Sequence, residues 1–238
     1  MHRRGKKYQE AAKLIEAGKF YGPTDAVSLV KKVSYSNFVG TIEMHLRMGL
    51  DPRHADQVVR GVALLPHGLG KQVRVLVFTS GEGIRLAEAA GADVVGADEL
   101  VKRVEEGWLE FDVAIATPEM MANKVSRLGR ILGRKGLMPN PRSGTIVQPN
   151  DLTRAIRDAR QGRVEFRLDK TGIIHVPIGK SDFEDRALLE NMASLVDSVQ
   201  KAKPSGSKGQ YVFTITLAPS IGPGIPIDLT QALTLKVA

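Results

Sequence analysis

From Ile42 to Leu50 apolar residues hold every even position, while Glu43, His45 and Arg47 share the other face. This period of two predicts a half-buried strand with a polar, partly charged outer surface. The design recurs at residues 164–168, where Glu165 and Arg167 face outward. Asp169-Lys170-Thr171-Gly172 reads as a turn, and Ile174, Val176 and Ile178 supply a returning strand. Residues 211–217 give a fourth. Four amphipathic strands predict an antiparallel sheet with helices on one face. One helix is expected over residues 8–17, ended by Gly18. A second starts near Pro23-Thr24-Asp25, with Ala26, Leu29, Val30 and Val33 on its apolar face. A longer one opens with a capping box, Ser181 with Glu184 three residues later. Its stripe includes Leu188, Met192, Leu195, Val196 and Val199, and Pro204-Ser205-Gly206-Ser207 closes it.

The middle of the chain has a different rhythm. Residues 73–78 are almost continuously apolar and lead through Gly81-Glu82-Gly83 into a helix over 84–90. A short strand at 93–96, a helix at 98–106 and a third strand at 111–116 follow. Buried strands alternating with helices predict a parallel α/β unit. The expected architecture is therefore a split α+β domain, residues 1–67 and 162–238, carrying an inserted Rossmann-like three-layer α/β domain, residues 68–161. The two crossings fall near 66–70 and 160–162 and would form a hinge.

Charge adds direction. The 238 residues hold 34 Lys plus Arg against 26 Asp plus Glu, a net charge of +8, which favours a partner rich in phosphates. Between Glu119 and Asp151 there is no acidic residue, yet Lys124, Arg127, Arg130, Arg134, Lys135 and Arg142 all occur. A solvated face mixes both signs; this run does not, and its glycines and prolines predict a shaped loop suited to a polyanion. There is no cysteine, so disulfides and thiolate chemistry are excluded. The five histidines lack ligand spacing, and neither a metal site nor a cofactor is expected. The basic N-terminus leads into Tyr8-Gln9-Glu10 rather than an apolar stretch, and no run approaches the ~20 apolar residues of a membrane span, so a cytoplasmic protein without membrane contact is expected.

Catalytic chemistry finds no support. Gly81-Glu82-Gly83 lacks the third glycine of a dinucleotide fingerprint, because position 86 is Leu86. Gly179-Lys180-Ser181 resembles the end of a phosphate loop, but the preceding glycine, Gly172, is too far away, and Ser181 reads as a helix cap. No Ser/His/acid set stands out. Pro219-Ser220-Ile221-Gly222-Pro223-Gly224 follows a strand directly, and its rigid, close-approaching backbone suits either an ordinary strand-ending turn or a contact with a ligand.

The run Leu132-Gly133-Arg134-Lys135-Gly136-Leu137-Met138-Pro139-Asn140-Pro141 resembles the signature of the ribosomal protein L-one family, the protein of the mobile stalk beside the exit site. So do Asp51-Pro52-Arg53, Asp56-Gln57-Val58-Val59-Arg60-Gly61, Leu65-Pro66-His67-Gly68, Gly172-Ile173-Ile174-His175, Lys201-Ala202-Lys203-Pro204 and Lys208-Gly209-Gln210-Tyr211. The resemblance covers nearly the whole chain. It implies a non-enzymatic constituent of the large ribosomal subunit that binds large-subunit rRNA, assists release of deacylated tRNA from the exit site, and represses translation of its own mRNA through the leader. It also implies a monomer when free. Carried over residue by residue, the rRNA and mRNA face comprises Phe38, Thr41, Glu43, Asp169, Lys170, Thr171, Gly172, Ser220, Ile221, Gly222, Pro223 and Gly224. Arg167 adds salt-dependent attraction. Arg127, Arg130, Arg134, Lys135 and Arg142 are the candidates for tRNA contact. The family usually carries Thr-Met where this chain has Ser220-Ile221, so a flexible thioether gives way to a stiff β-branch. Two other classes remain to be discriminated: a nucleotide-dependent enzyme built on the middle unit, and an RNA-binding regulator outside the ribosome.

Overall fold

The computed structural model describes residues 4–141, 143–207 and 209–236. Its helices are α1 (Lys6–Ala12), α2 (Pro23–Val33), α3 (Glu82–Ala89), α4 (Asp98–Glu105), α5 (Pro118–Asn123), α6 (Gly129–Lys135), α7 (Leu152–Arg160), α8 (Asp185–Lys201) and α9 (Leu229–Thr234). Its strands are β1 (Thr41–Met48), β2 (Arg60–Leu64), β3 (Val75–Phe78), β4 (Val94–Gly96), β5 (Val113–Ala116), β6 (Arg163–Arg167), β7 (Ile173–Lys180), β8 (Val212–Pro219) and β9 (Ile225–Ile227). The chain forms two compact units. One runs up to Gly70 and resumes at Val164; the other is Lys71–Arg163.

The first unit is built on a four-stranded sheet in the order β7-β1-β8-β9, in which each neighbouring pair is antiparallel. Ile42, Met44 and Leu46 of β1 are fully buried beneath it, against α2 and α8. Most of the stretch 164–168 does not join this sheet, contrary to the sequence expectation. It forms β6, which pairs with β2, while Leu168, just beyond β6, makes an isolated antiparallel bridge to Ile174 of β7, and β9 supplies the fourth strand of the main sheet. The reason lies at Gly61 of β2, where an added Cβ would come within 2.6 Å of the Phe166 ring. That glycine lets Phe166 settle on β2, and it also interrupts the alternation that would have revealed β2. Asn191 of α8 is fully buried and fully satisfied. Its amide donates to the carbonyls of Gly68 (3.0 Å) and Ile178 (2.8 Å), and its oxygen accepts from the His67 amide at 3.0 Å. One side chain thus pins the chain crossing at 67–68 to both α8 and β7.

Two helix boundaries also differ. The long helix begins at Asp185, and its cap position, Glu184, makes no side-chain capping bond. Ser181 is drawn to β1 instead: its hydroxyl accepts from the Gly40 amide at 3.1 Å and its amide donates to the Gly40 carbonyl at 2.9 Å. Asp185 is held by the hydroxyl of Ser28 and the ammonium of Lys31, and these partners, Lys31 first, lower its pKa. The first helix ends at Ala12 rather than at residue 17, because the Glu16 amide donates at 2.8 Å to the Tyr21 hydroxyl instead of continuing the helical ladder.

The second unit has a parallel sheet in the order β4-β3-β5. Successive residues of β3 enter two different cores. Leu76 and Phe78 pack with α4, α5 and α6, whereas Val75 and Val77 pack with α3 and α7. Both faces of the strand are covered, which is why its sequence is continuously apolar. The basic run is a shaped loop only beyond Lys135. Gly129 opens α6 and Gly133 lies inside it, because Leu128 and Leu132 are fully buried and packing outweighs the low helical propensity of glycine. Gly136, at φ 72°, ends the helix; its amide donates to the Gly133 carbonyl and that of Leu137 to Leu132. Among the described residues no helix is long and apolar enough to cross a membrane.

Candidate nucleic-acid interface

The exposed face of the four-stranded sheet collects most of the residues singled out by the sequence. Its axis is β1, whose Thr41, Glu43, His45 and Arg47 point away from the buried row. Seven residue steps at ~3.3 Å give this axis a length of about 23 Å. The two turns meet it at opposite ends. Ile42 pairs with Pro219, so the turn of Ser220, Ile221, Gly222, Pro223 and Gly224 lies beside Thr41. Arg47 pairs with Ile173, so the turn of Asp169, Lys170, Thr171 and Gly172 lies beside the far end.

At the Thr41 end the two strands are stitched through one hydroxyl. The Thr41 amide donates to Ser220 Oγ at 2.9 Å, Ser220 Oγ donates to the Thr41 carbonyl at 3.2 Å, and the Ser220 amide donates to the same carbonyl at 2.8 Å. Lys180 Nζ donates to Thr41 Oγ1 at 2.9 Å. Ser220 therefore shapes the turn, and its hydroxyl is already engaged. The amides of Ile221 and Gly222 donate to no described group. Phe38 and Val39 (58% and 52% exposed) and Ile221 (37%) give this end an apolar rim. Gly222 is required by space: an added Cβ would lie 2.6 Å from Pro219 Cγ and 2.8 Å from the Val33 carbonyl oxygen.

Along the middle runs a line of titratable groups that the sequence did not reveal. His45 Nδ1 and His175 Nδ1 stand 2.8 Å apart across paired strands, so one ring donates and the other accepts. Glu43 Oε2 lies 4.0 Å from His45 Nε2, and Asp169 Oδ2 lies 3.5 Å from His175 Nε2. Burial, and then the charge of His175, lowers the pKa of His45 against the opposing pull of Glu43. Each histidine sits on the polar face of its own strand, but only the register shows that they meet.

At the far end Asp169 organises its own turn. Its Oδ1 accepts from the Thr171 amide (2.8 Å), the Thr171 hydroxyl (2.8 Å) and the Ile173 amide (2.7 Å). Desolvation pushes the carboxyl up, but these donors together with His175 outweigh it and bring the pKa down to about 2. With its lone pairs occupied, Asp169 is a turn-former, and Lys170 and Thr171 are what the turn presents. Gly172 completes it at φ 77°. Arg167 is exposed but stands on β6, in the two-stranded sheet.

In the other unit, Arg127, Arg130, Arg134 and Lys135 are all exposed, and none pairs with a described acid. Lys124, by contrast, forms an ion pair with Asp98. Arg142 lies outside the described residues. The Gly81–Gly83 turn is tight: an added Cβ at Gly83 would reach 2.1 Å from the Thr79 hydroxyl. Lys180, the lysine of the phosphate-loop likeness, belongs to β7 and serves Thr41.

A family model described as "Ribosomal protein L1p/L10e family" matches residues 30–223. The chain is 57% identical over 226 residues, 95% of each chain, to the large ribosomal subunit protein uL1 of Dehalococcoides mccartyi. It is 54% identical to the uL1 protein of Chloroflexus aggregans over 238 residues, the full length of both. The uL1 protein of Thermomicrobium roseum is 54% identical over 234 residues, covering 98% of this chain and 97% of that one. A family match over most of the sequence, with relatives aligned nearly end to end, places the chain in the ribosomal protein L1p/L10e family.

Proposed function

We propose that this chain is a constituent of the large ribosomal subunit, working in the cytoplasm as part of the ribosome. In this reading the discontinuous α+β unit binds large-subunit rRNA through the exposed face of its four-stranded sheet. The observation that carries it is the strip along β1, about 23 Å long, with a turn at each end and unused backbone donors at Ile221 and Gly222. Folded RNA presents ribose hydroxyls and phosphates more readily than base edges. The free amides of the Gly222 turn donate to such oxygens at little ordering cost, since Pro219 and Pro223 already fix the backbone. Glu43 repels phosphate and accepts only, so it takes hydrogen bonds from ribose hydroxyls or base amino groups and discriminates rather than adding bulk affinity. Lys170 and Arg167 supply the salt-dependent part.

The same reading gives the inserted α/β unit a second contact, with deacylated tRNA leaving the exit site. Arg127, Arg130, Arg134 and Lys135 pair with no described acid and lie in a stretch, 124–142, whose sequence holds no aromatic residue, which favours transient attraction to a backbone over base readout. Repression of the chain's own mRNA follows if the leader presents the rRNA-like shape to the β1 face. The free protein is a monomer, and the function involves no catalytic step. Co-sedimentation with large subunits after a moderate salt wash tests the central assignment: retention is expected, and complete release into the supernatant would overturn it.

A further inference from the structure

At the Arg47 end the face does not stop at the turn. It opens into a cleft of about 430 Å³ whose walls include Arg47, Arg53, Lys170, Thr171, Asp51 and Phe213. Phe213 is there because of an irregularity in β8. Arg47 pairs with Thr214, but Met48 pairs with Val212, so Phe213 is left without a partner on β1. The bulge turns its ring outward, 47% exposed, while Val212 and Ile215 on either side are buried. The ring is seated by Gly49, where an added Cβ would come within 3.1 Å of its Cζ. Arg47, Arg53 and Lys170 form no ion pair with a described residue. Asp51, the one acid in the wall, is partly engaged: its Oδ1 accepts from the Arg53 amide at 2.9 Å, and Oδ2 lies 3.8 Å from His54 Nε2.

An exposed aromatic face among three unneutralised cations matches a single chemistry, a flat heteroaromatic base joined to phosphate. We propose that this cleft is a subsite for one unstacked nucleotide of single-stranded RNA, its base on Phe213 and its flanking phosphates on Arg47, Arg53 and Lys170. The proposal extends the rRNA-binding reading and rests on it for the identity of the larger ligand. Phenylalanine has no hydrogen-bonding tip, so the subsite takes any base and adds affinity without readout. The cations hold backbone, and their contribution falls with salt. A loop or bulge in the RNA that crosses the β1 strip would end with its unpaired base in this cleft.

The test replaces Phe213 by Trp and follows indole emission against the parent chain, which carries only Trp108. Two ligands are titrated, a single-stranded RNA hexanucleotide and a stalk rRNA fragment whose binding is measured separately by filter retention. Emission from Phe213→Trp should be quenched by both, and the parent should change little. Phe213→Ala and Phe213→Leu should each weaken rRNA binding by about tenfold, the effect expected for one lost base stack. The leucine variant keeps apolar bulk on Gly49, so a folding defect is separable from loss of the ring. Arg47→Gln with Arg53→Gln should reduce the salt slope by about 1.4, two single-strand phosphate contacts. Saturating rRNA without quenching, or both Phe213 variants within about twofold of the parent, would overturn the subsite while leaving rRNA binding intact. If the rRNA fragment fails to bind the parent but the hexanucleotide still quenches, the rRNA reading falls and the nucleotide subsite stands; quenching by neither ligand removes the subsite.

Discussion

Replacing Gly222 by Ala isolates the contribution of one backbone turn. The new Cβ would lie 2.6 Å from Pro219 Cγ and 2.8 Å from the Val33 carbonyl oxygen. Neither neighbour can swing aside, since one belongs to a proline ring and the other to the last turn of α2. The 219–224 segment must therefore lift away from α2. Overpacking of this kind costs about 1–3 kcal/mol of stability. Lifting also moves the Ile221 and Gly222 amides, and loss of one hydrogen bond made to RNA removes about 1–3 kcal/mol of binding, roughly 5- to 150-fold in affinity. Gly224→Ala is the internal control: its Cβ would meet Thr216 Cγ2 at 3.0 Å, on a half-exposed side chain that need give by only a few tenths of an ångström, so it should cost well under half as much. Urea unfolding, read as a lower midpoint at unchanged slope, gives the first quantity, and filter binding to a stalk rRNA fragment gives the second. A Gly222→Ala protein destabilised as expected but binding RNA at parental affinity would show that the turn lies outside the contact. Equal damage from both variants would show that the crowding seen at Gly222 is not the cause.

Ser220→Ala removes the acceptor of the Thr41 amide and should lower stability by about 1 kcal/mol in the same urea titration, with weaker RNA binding but an unchanged salt slope, because no phosphate partner is lost. Glu43→Ala should likewise weaken binding without altering that slope; a steep change would mean that it acts on phosphates through a neighbouring cation. Asp169, with its pKa held at about 2, stabilises the fold fully above the ordinary carboxylate value and loses that contribution as pH falls toward 2. Asp169→Asn should therefore melt below the parent at pH 7, with the gap narrowing between about pH 4 and pH 2; a gap independent of pH would refute the carboxylate's role. Replacing Arg130, Arg134 and Lys135 together by Gln should leave stalk-RNA affinity within about twofold and speed release of exit-site tRNA from ribosomes; loss of stalk-RNA binding would place the inserted unit in the primary site.

Much of this fold is written locally. β1 shows itself by perfect alternation, and β3 by an apolar run that needs cover on both faces. What the sequence withholds is pairing. β6 alternates as cleanly as β1, yet it leaves the main sheet for β2, and that choice turns on the space above Gly61. Ser181 and Glu184 have the spacing of a capping box, but the amide of Gly40, just before β1, competes for the same hydroxyl and wins. The basic run carries enough glycine to suggest a loop, yet burial of Leu128 and Leu132 makes its first half helical. In each case a local preference worth about 1 kcal/mol is outweighed by a tertiary contact.

The site follows the same rule at finer scale. Residues named for their chemistry fall on one face because the alternation of β1 sets which side they take, and the two turns are brought to its ends by strand pairing. Their roles change once partners are visible. Asp169 and Ser220 look like groups offered to a ligand, and both prove to be spent inside the protein, on a turn and on a strand junction. What remains free is less conspicuous in a sequence: two backbone amides, a lysine, and a phenylalanine. Strict alternation from Ile215 and Leu217 would bury Phe213, and it is exposed only because one residue is inserted opposite Arg47 and Met48. Since a one-residue shift exchanges the two faces of a strand, that bulge moves an aromatic ring from the core to the surface beside Arg47, the last residue on the exposed face of β1. Deleting the bulge would carry Phe213 inward and remove the ring from the cleft while leaving the three cations in place. Affinity for single-stranded RNA would then keep its salt dependence and lose its stacking component, which is the signature that separates a built aromatic subsite from a merely basic surface.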